Sequence, residues 1–216
     1  MLQETKQAKR SSDVSKRGFT LTEIAIVLGI IGIILGAIWV AASAVYNNIR
    51  VSHANTQVLQ LAQGIRSLYS TASSTSGMNI DTLVCAKAVP SDMIVGTCGA
   101  SPTLSDAFPG GNTVVFPNGD GFGFEISMSG ISRENCVSLL VQVAGTSRDA
   151  GLYRAVGAAS VPSAGSATTP SPTSMLAPGS VTPTLANSAV GSGFGGCNAV
   201  GTTPATQVAT FGFSLR

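Results

Sequence analysis

The feature that most constrains this chain is an apolar run that directly follows an acidic residue near the N-terminus. Glu23 is followed by Ile24–Ala42, nineteen residues of Ile, Val, Leu, Ala, Gly and one Trp, and the next ionic residue is Arg50. At a rise of about 1.5 Å per residue, a helix of this length crosses the hydrocarbon core of a bilayer. An ionised carboxylate at the edge of that core is costly unless a positive group meets it. We therefore expect Glu23 to have a cationic partner that its own helix does not supply.

The charge distribution predicts the orientation of this helix. Residues 1–18 carry five basic and two acidic residues, a net charge of +3, whereas the remaining chain carries seven basic and eight acidic residues, a net charge of −1. Positive charge before a span holds that side in the cytoplasm, so the C-terminal bulk is expected outside. A conventional secretory signal, cut behind Ala41 and Ala42, is the alternative. Such a signal would not explain Glu23 or the Gly18–Phe19 pair that precedes it.

A short motif before the apolar run suggests a processing site. Residues 17–23 read Arg-Gly-Phe-Thr-Leu-Thr-Glu, which resembles the class III signal peptides of type IV pilins and their pseudopilin relatives. The resemblance implies that a prepilin peptidase cleaves between Gly18 and Phe19 and that Phe19 is then N-methylated. The new α-amino group would provide the cation that Glu23 of a neighbouring subunit requires.

Two features distinguish the chain from the type IVa branch of that family. Type IVa pilins usually have a proline in the middle of this helix, where Val40 stands here, and their leaders are short. This chain has no proline before Pro90 and a leader of eighteen residues, which resembles the type IVb branch. Phe19 as the first mature residue, in contrast, resembles type IVa pilins and pseudopilins.

The chain is predicted to fold as an α+β protein, with a long N-terminal helix packed on an antiparallel sheet, as in pilins. One helix is expected from Phe19 to about Ser73, because apolar residues recur at helical spacing from Ala54 to Ala72. A cleaved cytoplasmic leader is expected at residues 1–18 and a transmembrane or filament-core helix at 19–46. The amphipathic continuation of this helix is expected at 47–74, and a globular head at 75–216.

Within the head, local patterns predict several elements. Ser132 is expected to cap a helix that ends near Ala144. Residues 117–120, Pro-Asn-Gly-Asp, are expected to form a turn between two strands, and residues 91–111 to be an irregular connection. The expected strands have β-branched or aromatic content and span residues 113–116, 121–129, 152–156 and 208–215. The second of them should place Phe122, Phe124, Ile126 and Met128 on one face.

The four cysteines are expected to form two disulfides, because they lie on the side of the membrane outside the cytoplasm. Three pairings are possible. Closure between nearest neighbours favours Cys85–Cys98, and Cys136–Cys197 resembles the long C-terminal disulfide loop of type IV pilins. A zinc site is the weaker alternative, since the chain contains no Cys-x-x-Cys pair.

The sequence offers no constellation for catalysis, so we expect neither an enzyme nor a cofactor or metal site. It has no phosphate-binding loop, nucleophile elbow or zinc-protease motif. His53 is the only histidine and is interpreted as a solvated position on the helix. Too few acids surround Gly119 to complete a calcium shell. Nucleic-acid binding is not expected, because the mature chain is nearly neutral.

Residues 157–196 form a segment without charge that is dominated by small residues and proline. Such a composition cannot form a core of its own, and we expect a surface loop bounded by Cys136 and Cys197. An adhesive surface or O-linked glycosylation of this segment is the alternative interpretation.

The sequence therefore predicts the structural subunit of a type IV pilus, a homo-oligomer that forms a helical filament. The resemblance implies several partners: a prepilin peptidase, an inner-membrane assembly platform, an assembly ATPase and minor pilins. The precursor is expected in the bacterial inner membrane and the mature protein in the extracellular pilus. The alternatives are a minor pilin or type II secretion pseudopilin, and an uncleaved, single-pass extracytoplasmic binding protein. The role of the pilus, whether adhesion, aggregation, conjugation, DNA uptake or motility, is not encoded in a recognisable motif.

Overall fold

The structure is a computed structural model of the chain. It describes residues 19–119, 121–145, 149–158, 179, 181–187, 196–197 and 207–215. The leader at residues 1–18 and most of the segment at 157–196 thus lie outside the described residues. The chain divides into two compact units, Met1–Ala44 and Val45–Arg216.

Helix α1 spans Leu21–Leu68 and ends earlier than the predicted position near Ser73. One more turn follows, in which the Tyr69 amide donates to the Ile65 carbonyl at 2.9 Å. The next residues are rich in serine and threonine, whose hydroxyls compete with the helical backbone for hydrogen bonds. Local polar chemistry therefore explains why the helix stops before the predicted end.

The second unit contains a six-stranded sheet, which confirms the predicted α+β architecture. In the described chain after α1, the elements are α2 (Ile80–Cys85), β1 (Ile94–Val95), β2 (Thr103–Ser105), β3 (Asn112–Pro117), β4 (Gly123–Ile131), α3 (Arg133–Ala144), β5 (Leu152–Ala158), α4 (Pro183–Ala186) and β6 (Gln207–Ser214). The strand order is β1-β2-β3-β4-β6-β5, and all neighbouring strands are antiparallel.

Strands β3 and β4 form the predicted hairpin, with Val115 opposite Ile126. The connection is closed by the Asn118 amide, which donates to the Gly123 carbonyl at 2.9 Å. Gly121 has φ +73°, a left-handed conformation that suits glycine. The expectation that Phe122 shares the buried face of β4 is wrong, because Phe122 lies in this turn and is 68% exposed.

The core lies between one face of the sheet and the helices. Phe124 of β4 stacks on Phe213 of β6 with ring centroids 5.6 Å apart, and both rings are fully buried. Helix α1 contributes a buried stripe that includes Leu61 and Ile65. The buried side of α3 joins the same core through Leu139 and four further residues. Burial of these large apolar side chains is the main source of the stability of the head.

The connection predicted as irregular contains two short strands, β1 and β2, and α2 precedes it. These strands have two and three residues, too few to display an alternating pattern in the sequence. The side chain of Asn79 caps α2, accepting from the Thr82 amide at 2.7 Å. The prediction of an irregular connection at residues 91–111 is therefore wrong for the residues of these two strands, because it depended on turn-forming residues alone.

The opposite face of the sheet contains a buried ion pair. Arg154 of β5 donates to Glu125 of β4, and the two residues are 4% and 1% exposed. Gly212 of β6 lies opposite both of them in the register, so the pair spans a strand that has no side chain at that point. Burial raises the pKa of Glu125, and the charge of Arg154 opposes that rise. A Cβ at Gly212 would lie 3.1 Å from Cβ of Arg154 and 2.8 Å from the Tyr153 ring.

Candidate functional site

The first candidate site is the exposed apolar part of α1. Every residue from Phe19 to Ile49 is exposed, with Trp39 at 78% and Ile33 at 76%. An 18-residue window of this helix has a mean hydropathy of 2.8, and by length and composition the helix could cross a membrane. A large exposed apolar surface of this kind marks a site of contact with lipid or with another apolar protein surface.

The start of α1 is organised by a reciprocal pair of hydrogen bonds between Thr20 and Glu23. The Thr20 hydroxyl accepts from the Glu23 amide at 3.3 Å, and Glu23 Oε2 accepts from the Thr20 amide at 2.9 Å. The same carboxylate oxygen also accepts from the Thr20 hydroxyl at 2.9 Å. This arrangement is a capping box, in which side chains satisfy backbone donors at the first turn of a helix.

The capping box changes the interpretation of Glu23. The sequence predicts that this carboxylate needs a cation from another subunit, whereas the structure adds a neutral partner three residues earlier, Thr20. The Thr-x-x-Glu spacing of Thr20 and Glu23 is the sequence signature from which this capping box could have been predicted. Hydrogen bonds to Oε2 fix the orientation of the carboxylate, but they do not neutralise its charge.

The residues at the predicted cleavage point are described in part. Phe19 precedes the cap and is 82% exposed. Gly18, on the other side of the predicted cleavage point, lies outside the described residues. The structure therefore places Phe19 and Glu23 one helical turn apart, at the same end of α1.

Three glycines interrupt the apolar surface of α1. A Cβ built on Gly29, Gly32 or Gly36 would meet no atom within 4 Å. These positions are therefore shallow points at which the backbone of another helix could approach closely.

The cysteines are bonded in two pairs, Cys85–Cys98 and Cys136–Cys197. Their Cα atoms are 4.9 Å and 5.9 Å apart, within the ordinary range for disulfides. The first pair is exposed and the second is fully buried. Asp81 lies beside the first pair, but both sulfur atoms are already bonded, so this group cannot act as a thiolate metal site.

His53 has a neighbour that the sequence did not reveal. Its Nε2 lies 3.5 Å from Asp92 Oδ2, and the His53 side chain is 54% exposed. Gln57, one turn further along α1, donates to the same oxygen at 2.8 Å. The predicted solvated position is thus half-exposed and next to an acid on a distant segment of the chain.

Two known protein families match this chain, one near its N-terminus and one over most of the rest. The family model described as PilS N terminal matches residues 48–191, which is more than half of the chain. The one described as the prokaryotic N-terminal methylation motif matches residues 14–39, including the capping box. A comparison with curated proteins finds no match.

Proposed function

The chain belongs to the type IV pilin family, and from this membership we propose that it is the major structural subunit of a type IV pilus of type IVb character. The observation that supports the proposal most directly is the start of α1, where an exposed apolar surface follows a capped acid. Lipid can cover such a surface before assembly, and identical helices can cover it afterwards.

Processing is the first step of the proposed function. A prepilin peptidase cuts the precursor between Gly18 and Phe19, and Phe19 becomes the methylated N-terminus. Removal of residues 1–18 takes away a net charge of +3 and leaves a nearly neutral chain. The cut also creates an α-amino cation one helical turn from Glu23.

Assembly is the second step. Subunits leave the membrane under the action of an inner-membrane platform and an assembly ATPase, and minor pilins assist. Transfer of apolar side chains from lipid to neighbouring helices changes their surroundings little, because both are apolar. The change is larger for Glu23, which gains the α-amino group of a neighbouring subunit. This pairing therefore sets the register in which each subunit joins the helical filament.

The mature N-terminus provides the first test. Mass spectrometry of the purified protein should find Phe19 as the first residue, carrying one additional methyl group. A protein that retains Met1 would instead be an uncleaved anchored protein. A protein that begins beyond Ala42 would have been cut by a conventional signal peptidase.

The role of Glu23 provides the second test. Glu23→Ala should be processed between Gly18 and Phe19 as in the wild type, while the amount of filament on the cell surface falls sharply. Glu23→Asp, which retains the charge on a shorter side chain, should recover part of the assembly. Normal filaments from Glu23→Ala would refute the charge-pairing mechanism, whether or not the protein is a pilin.

Abundance in the filament separates a major subunit from a minor pilin or a pseudopilin. If the proposal is correct, this chain should be the predominant protein in filaments sheared from the cell surface. A trace amount beside another predominant pilin would identify it as a minor subunit.

A further inference from the structure

The two disulfides have different access to solvent. Cys85 and Cys98 are both exposed, whereas Cys136 and Cys197 are 0% exposed. A thiol reagent must reach a sulfur atom to exchange with a disulfide, so the exposed pair is the accessible one in the folded protein.

The exposed disulfide closes a segment, residues 86–97, that packs against α1. Asp92 in this segment accepts a hydrogen bond from Gln57, and the Ala88 carbonyl lies against Gly64 so closely that a Cβ there would be 2.0 Å from its oxygen. Met93 anchors the segment in the core with 0% exposure. The disulfide thus limits the freedom of a segment that contacts α1 at two points.

The segment begins where helix α2 ends, directly after Cys85. Lys87 has φ 55°, a left-handed conformation that side chains other than glycine seldom adopt. Here it ends helix α2, and the amides of Lys87 and Ala88 donate to the carbonyls of Val84 and Leu83, both at 3.0 Å. Loss of the covalent link at Cys85 would remove one of the constraints next to Lys87.

We propose that Cys85–Cys98 is a thiol–disulfide exchange site, a reducible clamp that holds segment 86–97 against α1. The chemical partner is a dithiol outside the cytoplasm. Cys136–Cys197 stays oxidised during the exchange, so the head remains folded. This proposal concerns the head alone and stands whether or not the chain is a major pilin.

The exchange follows the ordinary chemistry of disulfides. A thiolate of the reductant attacks one sulfur of the pair, the bond between Cys85 and Cys98 breaks, and the departing cysteine thiolate takes up a proton. The second thiol of the reductant then displaces the other cysteine from the mixed disulfide. The two cysteines gain two electrons and two protons, and the reductant leaves as its own disulfide.

Asp81 regulates the rate of this exchange. Its Oδ1 lies 3.8 Å from Cys85 Sγ and accepts from the Gly99 amide at 2.8 Å. A carboxylate at that distance repels an incoming thiolate and disfavours the thiolate that leaves. The charge of Asp81 therefore makes the clamp more resistant to reduction.

Differential alkylation tests the proposal on the full-length protein in detergent. The protein is treated with increasing dithiothreitol, and its free cysteines are labelled and identified by mass spectrometry. Cys85 and Cys98 should be labelled well before Cys136 and Cys197, and hydrogen exchange should increase in segment 86–97 and in α1 near Gln57. The double variant Cys85→Ser, Cys98→Ser should show the same increase without reductant. Simultaneous reduction of both pairs, or unchanged hydrogen exchange after reduction of the first, would overturn the proposal.

Asp81→Asn tests the role of the acid. The amide retains an acceptor for Gly99 but lacks the charge, so the reduction rate should rise about threefold to fivefold at low salt. The increase should largely disappear near 1 M salt, where the screening length is about 3 Å. Glu134→Gln, an exposed acid on α3 outside this group, should leave the rate unchanged. A rate for Asp81→Asn equal to the wild type at low salt would refute the electrostatic role.

Discussion

At the scale of single residues, Glu23 has one partner in the structure, Thr20, and a second one in the filament that we propose. Thr20 orients the carboxylate through Oε2 within the monomer, and the proposed α-amino group of a neighbour meets it in the filament. Hydrogen bonds from a threonine lower the cost of an acid near lipid, but only an opposite charge neutralises it. In the proposed mechanism, the capping box therefore lowers the cost of the Glu23 carboxylate in the membrane-bound precursor, and its charge is neutralised only on assembly.

The first prediction concerns this capping box. Thr20→Val has nearly the same shape but lacks the hydroxyl, so Glu23 retains only the backbone amide of residue 20 as a donor. We expect several-fold less sheared filament from Thr20→Val, whereas Thr20→Ser should assemble nearly as well as the wild type. The amount of processed subunit in the membrane is the control. Equal filament yields from Thr20→Val and the wild type would show that the cap does not contribute to assembly.

The second prediction concerns the pH dependence of stability. Burial raises the pKa of Asp106 from its ordinary value of 3.8 to about 6, although the Phe108 amide donates to its Oδ1 at 2.8 Å. Because the folded state holds this proton more tightly, the free energy of unfolding should decrease as the pH rises from about 4 to about 6. Asp106→Asn should remove this decrease and be more stable than the wild type at pH 7 by about 1 kcal/mol, after allowance for solvent screening.

Denaturation by urea at pH 4 and pH 7 measures this effect. Comparison of Asp106→Asn with the wild type at each pH isolates Asp106 from other acids such as Glu125. The same difference in unfolding free energy at both pH values would contradict the assignment.

Single residues also show where prediction from the sequence stops. Phe19 and Glu23 could be selected from the sequence, because their motif is local. The partners of His53, Arg66 and Glu125 could not be predicted, because each partner is an acid or base that only the fold brings close. One such partner is Asp149, which lies 2.8 Å from Arg66. An ion pair between distant segments leaves no periodic signal in the sequence.

At the scale of elements, α1 combines two chemical environments in one helix. Up to Ile49 its residues are exposed and mostly apolar, and from Val51 onwards one side is buried in the core of the head. Periodicity predicted the buried stripe correctly from Ala54 to Ile65, but Leu68 at the end is 39% exposed. The long helix and the central strands were predictable because their patterns repeat. Elements such as β1 and α2 were not predictable, because they are too short to show a repeating pattern and their conformation is set by contacts with the rest of the fold.

The third prediction tests how closely α1 packs on its neighbour. Gly64→Ala places a Cβ 2.0 Å from the Ala88 carbonyl oxygen, so the backbone of one element must move. The helix gains about 1 kcal/mol in propensity, but the loss of packing is larger, and we expect a net loss of about 2 kcal/mol. Chemical denaturation followed by circular dichroism measures it.

Gly36→Ala is the matched control for this substitution, because its Cβ would meet nothing within 4 Å in the monomer. It should leave the stability of the head unchanged. If Gly64→Ala were as stable as Gly36→Ala, the close approach of Ala88 to α1 would be incorrect.

At the scale of the whole molecule, two disulfides link parts of the head that are separated to different degrees along the chain. Two disulfides close segments of different length, with sequence separations of 13 for Cys85–Cys98 and 61 for Cys136–Cys197. The short link holds a surface segment near α1, and the long link joins α3 to a later part of the chain. The overall α+β architecture was predictable, but the order β4-β6-β5 was not, because it depends on which distant strands pair.

The fourth prediction follows from these two separations. A model based on chain entropy assigns about 3 kcal/mol to the shorter link and about 4 kcal/mol to the longer one. Replacement of Cys136 and Cys197 by alanine also leaves a small void at two fully buried positions, which adds to the loss. We therefore expect the buried pair of substitutions to cost about 2 kcal/mol more than alanine at Cys85 and Cys98. Urea denaturation under oxidising conditions measures both variants, and a larger loss from the exposed pair would mean that the clamp, rather than the buried link, holds the head together.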